Sequence, residues 1–303
     1  MKIYRFQIPL KKTLNLKGSL YRDREGILIE QNGRWAEASP IPGFSPESIT
    51  DVIHALRENT APTPAVKFAL DSLNSDFGTK LSHPYNVLLA GSQSQILADA
   101  HAKGDSGCRA FKVKVGRESL DRDIALVRKV SSALPAGIRL RLDANQAWEL
   151  KDAIYFVNST SDLNIEYIEE PLKDNSKLEE LFDETAIHYA LDESLVGTDS
   201  FEGWPNVSAL ICKPTLIGGR TAIKKLASTG KPIVFSSAFE SGVGIARIVE
   251  LAAEFAPDIP AGLDTIDWLD FTLCRPSFRR QNGIFQIPET LTVDKDLLEP
   301  IEI

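Results

Sequence analysis

The stretch FKVKVG, residues 111–116, alternates apolar and polar side chains, which is the pattern of a β-strand. Successive side chains of a strand point to opposite faces, so the three apolar residues share one face and Lys112 and Lys114 share the other. The apolar face suits packing against helices. A buried strand with two lysines on its second face needs a reason, and the rest of the sequence supplies one.

Short apolar stretches of this kind recur along the chain, and helical stretches such as RESLDRDIALVRKVSSAL separate them. The strand candidates are YNVLLAG (85–91), FKVKVG (111–116), IRLRLDAN (138–145), IEYIEEP (165–171), YALDES (189–194), SALICKP (208–214), PIVFSS (232–237) and IPAGLD (259–264). Eight strand–helix units in series predict a parallel α/β barrel of the TIM type. An open doubly wound sheet is the competing architecture. It is disfavoured because no glycine-rich phosphate turn follows the first strand.

Residues 1 to about 82 have an α+β character instead. Strand-like YRFQIPL and GILIE lead to a loop rich in proline and glycine. SPESITDVIHALREN (45–59) predicts a helix opened by Ser45 and Pro46, and a second helix is predicted over residues 64–77. The stretch after about 270 is irregular, and we expect it to return to the N-terminal region. The predicted division is 1–82, 83–268 and 269–303.

Charged residues stand at the last positions of successive predicted strands. Asp143, Glu169, Asp192 and Lys213 follow one another at intervals that each fit one barrel unit, and Lys112 and Lys114 lie on the strand before them. The active site of a barrel lies at the C-terminal ends of its strands. The spacing therefore predicts that three carboxylates and three lysines, counting the second lysine of the opening strand, meet at one mouth.

Carboxylates that face one another raise one another's pKa, and a divalent cation relieves that repulsion. Ligation by oxygen alone favours Mg²⁺ or Mn²⁺ over zinc. Two neighbouring lysines should lower each other's pKa toward about 7–8, where an amine can act as a base. A set of internal salt bridges is the purely structural alternative. Asp, Glu and Lys are almost never buried without a partner or a purpose. Salt bridges would supply partners, but the position of all these residues at one end of the barrel, on five strands, favours a chemical role.

The ordered motifs KVK, LDAN, IEEP, LDES and CKP resemble the enolase superfamily, and lysines on the second and sixth barrel strands resemble its muconate-lactonizing subgroup. The stretches EASPIPGFS, LRLDANQAW, SSAFES and GLDTIDWL are similar to the o-succinylbenzoate synthase family of menaquinone biosynthesis. The resemblance implies a modified TIM-type (β/α)₇β barrel. It also implies an α+β capping domain formed by the N-terminal region and the C-terminal segment.

The same resemblance implies a role for each site residue. Asp143, Glu169 and Asp192 would bind Mg²⁺ or Mn²⁺, Lys114 would be the general base, Lys213 would stabilise an enediolate, Lys112 would tune Lys114, and Arg141, Asn145 and Ser236 would contact substrate or support the metal shell. Strand parity agrees with the choice of Glu169 over Glu170. Arg22 or Arg24 could meet a substrate carboxylate, although solvated loop charges are an equal alternative. The N–H groups of ESGVG (240–244) could bind a carboxylate or merely form a tight turn.

The implied reaction is the syn dehydration of 2-succinyl-6-hydroxy-2,4-cyclohexadiene-1-carboxylate to 2-succinylbenzoate. A dipeptide epimerase, an N-acylamino acid racemase or a cycloisomerase would share the same barrel residues and differ in the cap loops. A lyase that forms a Schiff base on a strand lysine is disfavoured by the carboxylates. A non-catalytic barrel is disfavoured because none of the six charged site residues is missing.

Composition excludes several other classes. The net charge is −8 and no basic run occurs, which argues against nucleic-acid binding. Cys108, Cys212 and Cys274 form no CxxC pair, so we expect buried reduced thiols rather than a zinc site. Neither a signal peptide nor a membrane-spanning run is recognised, so the cytoplasm is the expected location. The expected partner is a small carboxylate substrate, with no membrane and no obligate protein partner.

Overall fold

The computed structural model describes residues 1–16, 18–74, 81–196, 204–289 and 291–302. Its strands and α-helices are β1 Lys2–Leu16, β2 Ser19–Gln31, β3 Arg34–Ala38, α1 Ile49–Arg57, α2 Pro64–Ser72, β4 Leu81–Pro84, β5 Val87–Leu89, α3 Gln93–Lys103, β6 Ala110–Lys114, α4 Leu120–Ala133, β7 Arg139–Asp143, α5 Leu150–Asn158, β8 Ile165–Glu169, α6 Leu178–Thr185, β9 Tyr189–Leu191, β10 Val207–Cys212, α7 Pro214–Ile217, α8 Arg220–Ala227, β11 Ile233–Phe235, α9 Gly242–Phe255, β12 Cys274–Arg275, β13 Arg279–Gln281, β14 Ile284–Ile287, β15 Thr292–Val293 and β16 Glu299–Ile301.

The N-terminal strands form an antiparallel sheet in the order β16-β1-β2-β3. One face, which includes Ile27 and Ile29, packs on α1 and α2. Phe6 and Leu28 instead join the large core that also contains apolar residues of the barrel strands and helices. Because side chains alternate along a strand, this cap sheet is buried on both faces. β16 pairs with β1, so the C-terminal segment returns to the cap as predicted.

Helix α2 begins at Pro64 as predicted, whereas α1 begins four residues after and ends two residues before its predicted limits. Ser48, rather than Ser45, caps α1: its hydroxyl accepts from the Asp51 amide, while the Asp51 carboxylate accepts from the Ser48 amide. The carboxylate of Glu47 lies before α1 and accepts from the amide of Ala65 in the first turn of α2. The predicted end of the second helix, residues 75–77, lies outside the described residues. None of the described helices is long and apolar enough to cross a lipid bilayer.

Seven parallel strands, β5 to β11, hydrogen-bond in sequence order and form a curled sheet. The eighth predicted strand is reduced to two bridges, Tyr85 with Ala261 and Ser236 with Gly262. These bridges join both edges of the sheet and close it into the predicted barrel. The predicted boundary after residue 82 falls inside β4, which pairs with β14 of the C-terminal segment.

The barrel interior is layered as strand parity predicts. Phe111, Val113 and Val115 pack outward into the main core. Beneath the charged mouth lies a small interior cluster of Tyr167, Ala190, Ala209, Ile211 and Val234. Tyr167 lies two residues before Glu169, and Ala209 and Ile211 lie four and two residues before Lys213, so alternation places them on the same strand face as the charged residues of the mouth. The apolar plug therefore supports a polar layer at the C-terminal ends of the strands.

A buried carboxylate fastens the cap to the barrel. Glu37 of β3 accepts hydrogen bonds from the amides of Ser241 (3.0 Å) and Gly244 (2.9 Å), from the Ser241 hydroxyl and from Ser39. The N–H groups of ESGVG thus do bind a carboxylate, but it is one of the protein's own. The positive end of α9 favours this negative charge.

Glu37→Ala is expected to lower the free energy of unfolding by at least about 2 kcal/mol, because each buried N–H left without an acceptor costs about 1–3 kcal/mol. Chemical denaturation measures the change. Glu25→Ala is the control: Glu25 pairs with Arg5 at the surface of the same sheet, where an ion pair contributes about 0–1 kcal/mol. Equal stability of the two variants would show that Glu37 does not fasten the cap.

Candidate active site

The register of the barrel sheet brings the first charged side chains together. Lys114 lies opposite Asp143, and Asp143 lies opposite Glu169, so the last residues of β6, β7 and β8 stand side by side. Gly116 lets the chain leave β6 at this point. Its φ is +73°, and a Cβ there would come within 2.5 Å of the Ala147 Cβ.

Lysine ammonium groups pair with all three predicted metal ligands. Lys112 Nζ lies 2.7 Å from Glu169 Oε1 and 2.9 Å from Asp143 Oδ2. Lys114 Nζ lies 2.7 Å from Asp143 Oδ2, and Lys213 Nζ contacts Asp192 Oδ2. The three carboxylates are buried, whereas each lysine side chain keeps part of its surface exposed. Lys114, Asp143, Lys112 and Glu169 thus form a chain of ion pairs, and Lys213 pairs with Asp192.

Within the described residues, no three acidic, histidine or cysteine side chains close into a preformed metal cage. The sequence predicts convergence of three carboxylates, and the reason for the difference is that lysines lie between them. The donor set still fits a hard divalent cation. Every donor is a carboxylate oxygen, and Asp143 Oδ1 is buried without a hydrogen-bond partner.

The crowding of the carboxylates changes their acidity. Burial raises the pKa of Glu169 well above its usual value, and the charges of Asp143 and Asp192 add to that shift. Burial also disfavours the Asp143 carboxylate, but Lys112 and Lys114 outweigh it and hold the pKa of Asp143 well below its usual range. The expected repulsion between the carboxylates therefore raises the pKa of Glu169, whereas Asp143 carries the negative charge that binds the lysines.

The expected lowering of a lysine pKa by its lysine neighbour is wrong for Lys112. Burial favours its neutral amine, but the charges of Asp143, Glu169 and Asp192 outweigh burial and raise the pKa of Lys112 well above its usual value. Burial likewise acts against the Lys213 ammonium, yet Asp192 leads the charges that raise the pKa of Lys213. Attraction to the carboxylates exceeds repulsion between lysines because the carboxylates are in direct contact.

Asn145 links the lysine of β6 to the loop after β9. Its Oδ1 accepts from Lys114 Nζ at 2.7 Å, and its Nδ2 donates to Glu193 Oε1 at 3.1 Å. Asn145 adopts a left-handed φ of 46°, which asparagine tolerates better than most residues. The side chain therefore orients Lys114. Glu193 was not predicted as a site residue from the sequence, although it directly follows Asp192 in the LDES motif.

The other two predicted substrate residues have different surroundings. Ser236 follows β11 at the barrel mouth and bridges to Gly262. Arg141 lies one layer below Asp143, is fully buried and donates to Glu166, Asn86 and the Pro260 carbonyl. Its guanidinium lies over the Tyr167 ring, with Cζ 5.4 Å from the ring centroid, and its contact with substrate or with the metal shell stays a prediction.

Arg24, one of the two arginines that could meet a substrate carboxylate, lies inside the protein. It is buried, and its guanidinium donates to the backbone carbonyls of Ser39, Pro40, Glu25 and Phe239. Arg22, in contrast, is exposed and lines a cavity of about 340 Å³ between the cap hairpin and Phe239.

Two sequence models match the chain: the enolase C-terminal domain-like family over residues 95–293 and the MenC N-terminal domain over residues 1–80. The o-succinylbenzoate synthase of Yersinia pseudotuberculosis serotype O:1b (strain IP 31758) is 30% identical over 301 residues, which cover 90% of this chain and 92% of the relative.

Solved structures resemble the whole molecule. The o-succinylbenzoate synthase of Thermosynechococcus elongatus BP-1, complexed with Mg in its active site, matches with a TM-score of 0.76 and 25% identity, covering 88% of this chain and 93% of that one. A substrate-liganded L-Ala-D/L-Glu epimerase from Bacillus subtilis matches with a TM-score of 0.80 and 20% identity, covering 94% and 95%. The epimerase likeness concerns the fold alone.

Proposed function

The chain belongs to the enolase superfamily of enzymes and carries a MenC-type N-terminal domain, and on this premise we propose that it acts as an o-succinylbenzoate synthase. The reaction is the syn dehydration of 2-succinyl-6-hydroxy-2,4-cyclohexadiene-1-carboxylate to 2-succinylbenzoate and water. The observation that carries the proposal is the pairing of two separate lysines, Lys114 and Lys213, with strand-end carboxylates of one barrel. The match to curated synthases over most of both chains supports it. We propose the cytoplasm as the location.

The proton chemistry falls to the lysines. The neutral amine of Lys114 removes the proton next to the substrate carboxylate, and the electron pair of that C–H bond enters the enediolate. The ammonium of Lys213 pairs with the negative charge that develops. As the enediolate collapses, its electron pair forms the new C=C bond of the ring and the C–O bond breaks, while protonated Lys114 returns the proton to the leaving hydroxyl group, so that water departs. One base can serve both steps because hydrogen and hydroxyl leave from the same face.

We propose Asp143, Glu169 and Asp192 as the residues that hold Mg²⁺. When bound, the cation supplies a Lewis acid for the substrate carboxylate. The same carboxylate oxygens now pair with lysines, so a cation that occupied them would weaken these ion pairs. Lys112 lies between Asp143 and Glu169 and is expected to be the most affected.

Selection of the substrate is assigned to the cap. The cavity beside Phe239 combines apolar walls from Leu14, Leu20 and Ile41 with the charge of Arg22. We propose that this combination receives the succinyl group, with Arg22 near its carboxylate.

The function is tested by incubating the purified protein with the cyclohexadiene substrate and Mg²⁺ and following product formation by absorbance. Racemisation of an N-succinylamino acid and epimerisation of a dipeptide are measured beside it. We expect the dehydration to have the highest kcat/KM. A higher kcat/KM for either amino-acid substrate would replace the synthase by a racemase or epimerase of the same superfamily.

A further inference from the structure

Glu170 is a buried carboxylate that the proposed mechanism does not use. Its Oε1 accepts from the backbone amides of Asp192 (2.8 Å) and Ser194 (2.9 Å). Its Oε2 accepts from the Ser194 hydroxyl (2.8 Å), Gln146 Nε2 (3.0 Å) and Asn175 Nδ2 (3.3 Å). Both oxygens are therefore saturated by protein donors, and Glu170 is fully buried.

These donors come from three different loops at the barrel mouth. Gln146 follows β7, Asn175 follows β8, and Asp192 and Ser194 follow β9. The backbone of Glu170 adds a further link, since its carbonyl accepts from the Gln146 amide at 2.7 Å. Both Glu170 (φ 44°) and Gln146 (φ 59°) adopt left-handed conformations, which are strained for these side chains. The network of hydrogen bonds holds them in place.

Saturation of both oxygens rules against Glu170 as a metal ligand in place of Glu169, because each oxygen would have to lose its donors first. The hydrogen bond to the Asp192 amide has a more specific consequence. Asp192 is one of the three proposed metal ligands, and its backbone is anchored through Glu170 to the loops after β7 and β8. The direction of the third carboxylate thus depends on Glu170.

We propose that Glu170 is a positioning residue for the cation site, which sets the orientation of Asp192 relative to Asp143 and Glu169. The inference rests on the proposed function, because it presumes that these three carboxylates bind a divalent cation. Partners that orient metal ligands typically change metal affinity by about 10–100-fold when they are removed.

The test is titration of Mn²⁺ into metal-stripped protein, followed by the electron paramagnetic resonance signal of free Mn²⁺, without substrate. Glu170→Ala is expected to weaken Mn²⁺ binding by about 10–100-fold. Glu170→Asp is expected to show a similar loss, because a side chain shorter by about 1.5 Å cannot reach both backbone amides. This second variant keeps the charge and decides the question if the alanine variant fails to fold.

Glu170→Gln should bind Mn²⁺ less than about 10-fold more weakly than the parent. Its amide oxygen can still accept from Asp192 and Ser194. Its NH₂ group can donate to Gln146 Oε1 and to Asn175 Oδ1, which is buried without a partner, once the side-chain amides of Gln146 and Asn175 have turned over. Glu179→Gln is the matched control. Glu179 also collects several hydrogen bonds, from Tyr189 and Asn206, but it lies at the opposite end of β9. It should leave Mn²⁺ affinity unchanged.

Thermal unfolding of each variant separates positioning from stability, since a purely structural role would lower Tm and leave the Mn²⁺ affinity of the folded protein unchanged. Parental affinity in both Glu170→Ala and Glu170→Asp would overturn the inference and leave the proposed function standing. If the parent protein itself bound no Mn²⁺, the proposed cation site would fail, and the positioning role would fail with it.

Discussion

Lys114→Ala is expected to lower kcat of the dehydration by about 10²–10⁴-fold, the range that a positioned general base contributes. Lys114 lies at the end of β6 with its ammonium 2.7 Å from both Asp143 Oδ2 and Asn145 Oδ1. No other proposed group serves as both proton acceptor and proton donor on that side of the site. Steady-state kinetics with saturating Mg²⁺ measure the loss, and circular dichroism checks that the fold is retained.

Lys114→Arg sharpens this experiment because it keeps the positive charge but cannot supply a neutral base. It should be nearly as inactive as the alanine variant. Lys173→Ala is the control, since Lys173 forms an exposed pair with Glu149. Near-normal turnover in either Lys114 variant would exclude Lys114 as the base. Activity in the arginine variant alone would instead show that Lys114 contributes only its positive charge.

Removal of divalent cations by EDTA is expected to abolish turnover, and Mg²⁺ or Mn²⁺ should restore it. The three proposed ligands are all carboxylates, and the proposed reaction needs a Lewis acid on the substrate carboxylate. EDTA saturated with Mg²⁺ before addition is the control for direct effects of the chelator. Full turnover in excess chelator would contradict the cation assignment.

The fold should survive the same treatment. Lys112, Lys114 and Lys213 already neutralise the carboxylates by direct contact, so loss of the cation leaves no buried unpaired charge at Asp143, Glu169 or Asp192. We therefore expect the far-ultraviolet circular dichroism to be unchanged in EDTA while activity is lost. Unfolding in chelator would contradict this expectation. It would show that the cation stabilises the barrel and that the lysine pairs alone do not compensate for its loss.

Much of this site could be predicted because strand geometry is local. The alternation of FKVKVG and IEYIEEP assigns each side chain to a face, and the interior cluster containing Tyr167 and Ile211 agrees with that assignment. Repeated strand–helix units then place the strand ends at one mouth, where Lys114, Asp143 and Glu169 are neighbours. Parity also agrees with the choice of Glu169 over Glu170 that the family resemblance implies.

Other features depend on contacts between residues that are distant in the chain. The N–H groups of ESGVG are satisfied by Glu37, some two hundred positions earlier, and the guanidinium of Arg24 is bound by carbonyls on both sides of the cap–barrel interface. Strand parity places Arg141 on the same face as the charged residues of the mouth, yet its guanidinium donates to Glu166 and to the Pro260 carbonyl in the interior. Periodicity carries no information on such contacts.

The sequence by itself predicted the barrel and the six charged residues of its mouth, because two-residue alternation and the spacing of strand–helix units follow from backbone geometry alone. The cap was expected from the family resemblance instead. Only the tertiary structure decided how those charges are paired. Asp143 and Glu169, a few ångströms from Lys112, outweigh burial and raise the pKa of Lys112, and Coulomb interactions at such distances are set by packing between strands. The role of Glu170 as the acceptor that joins three loops is decided in the same way.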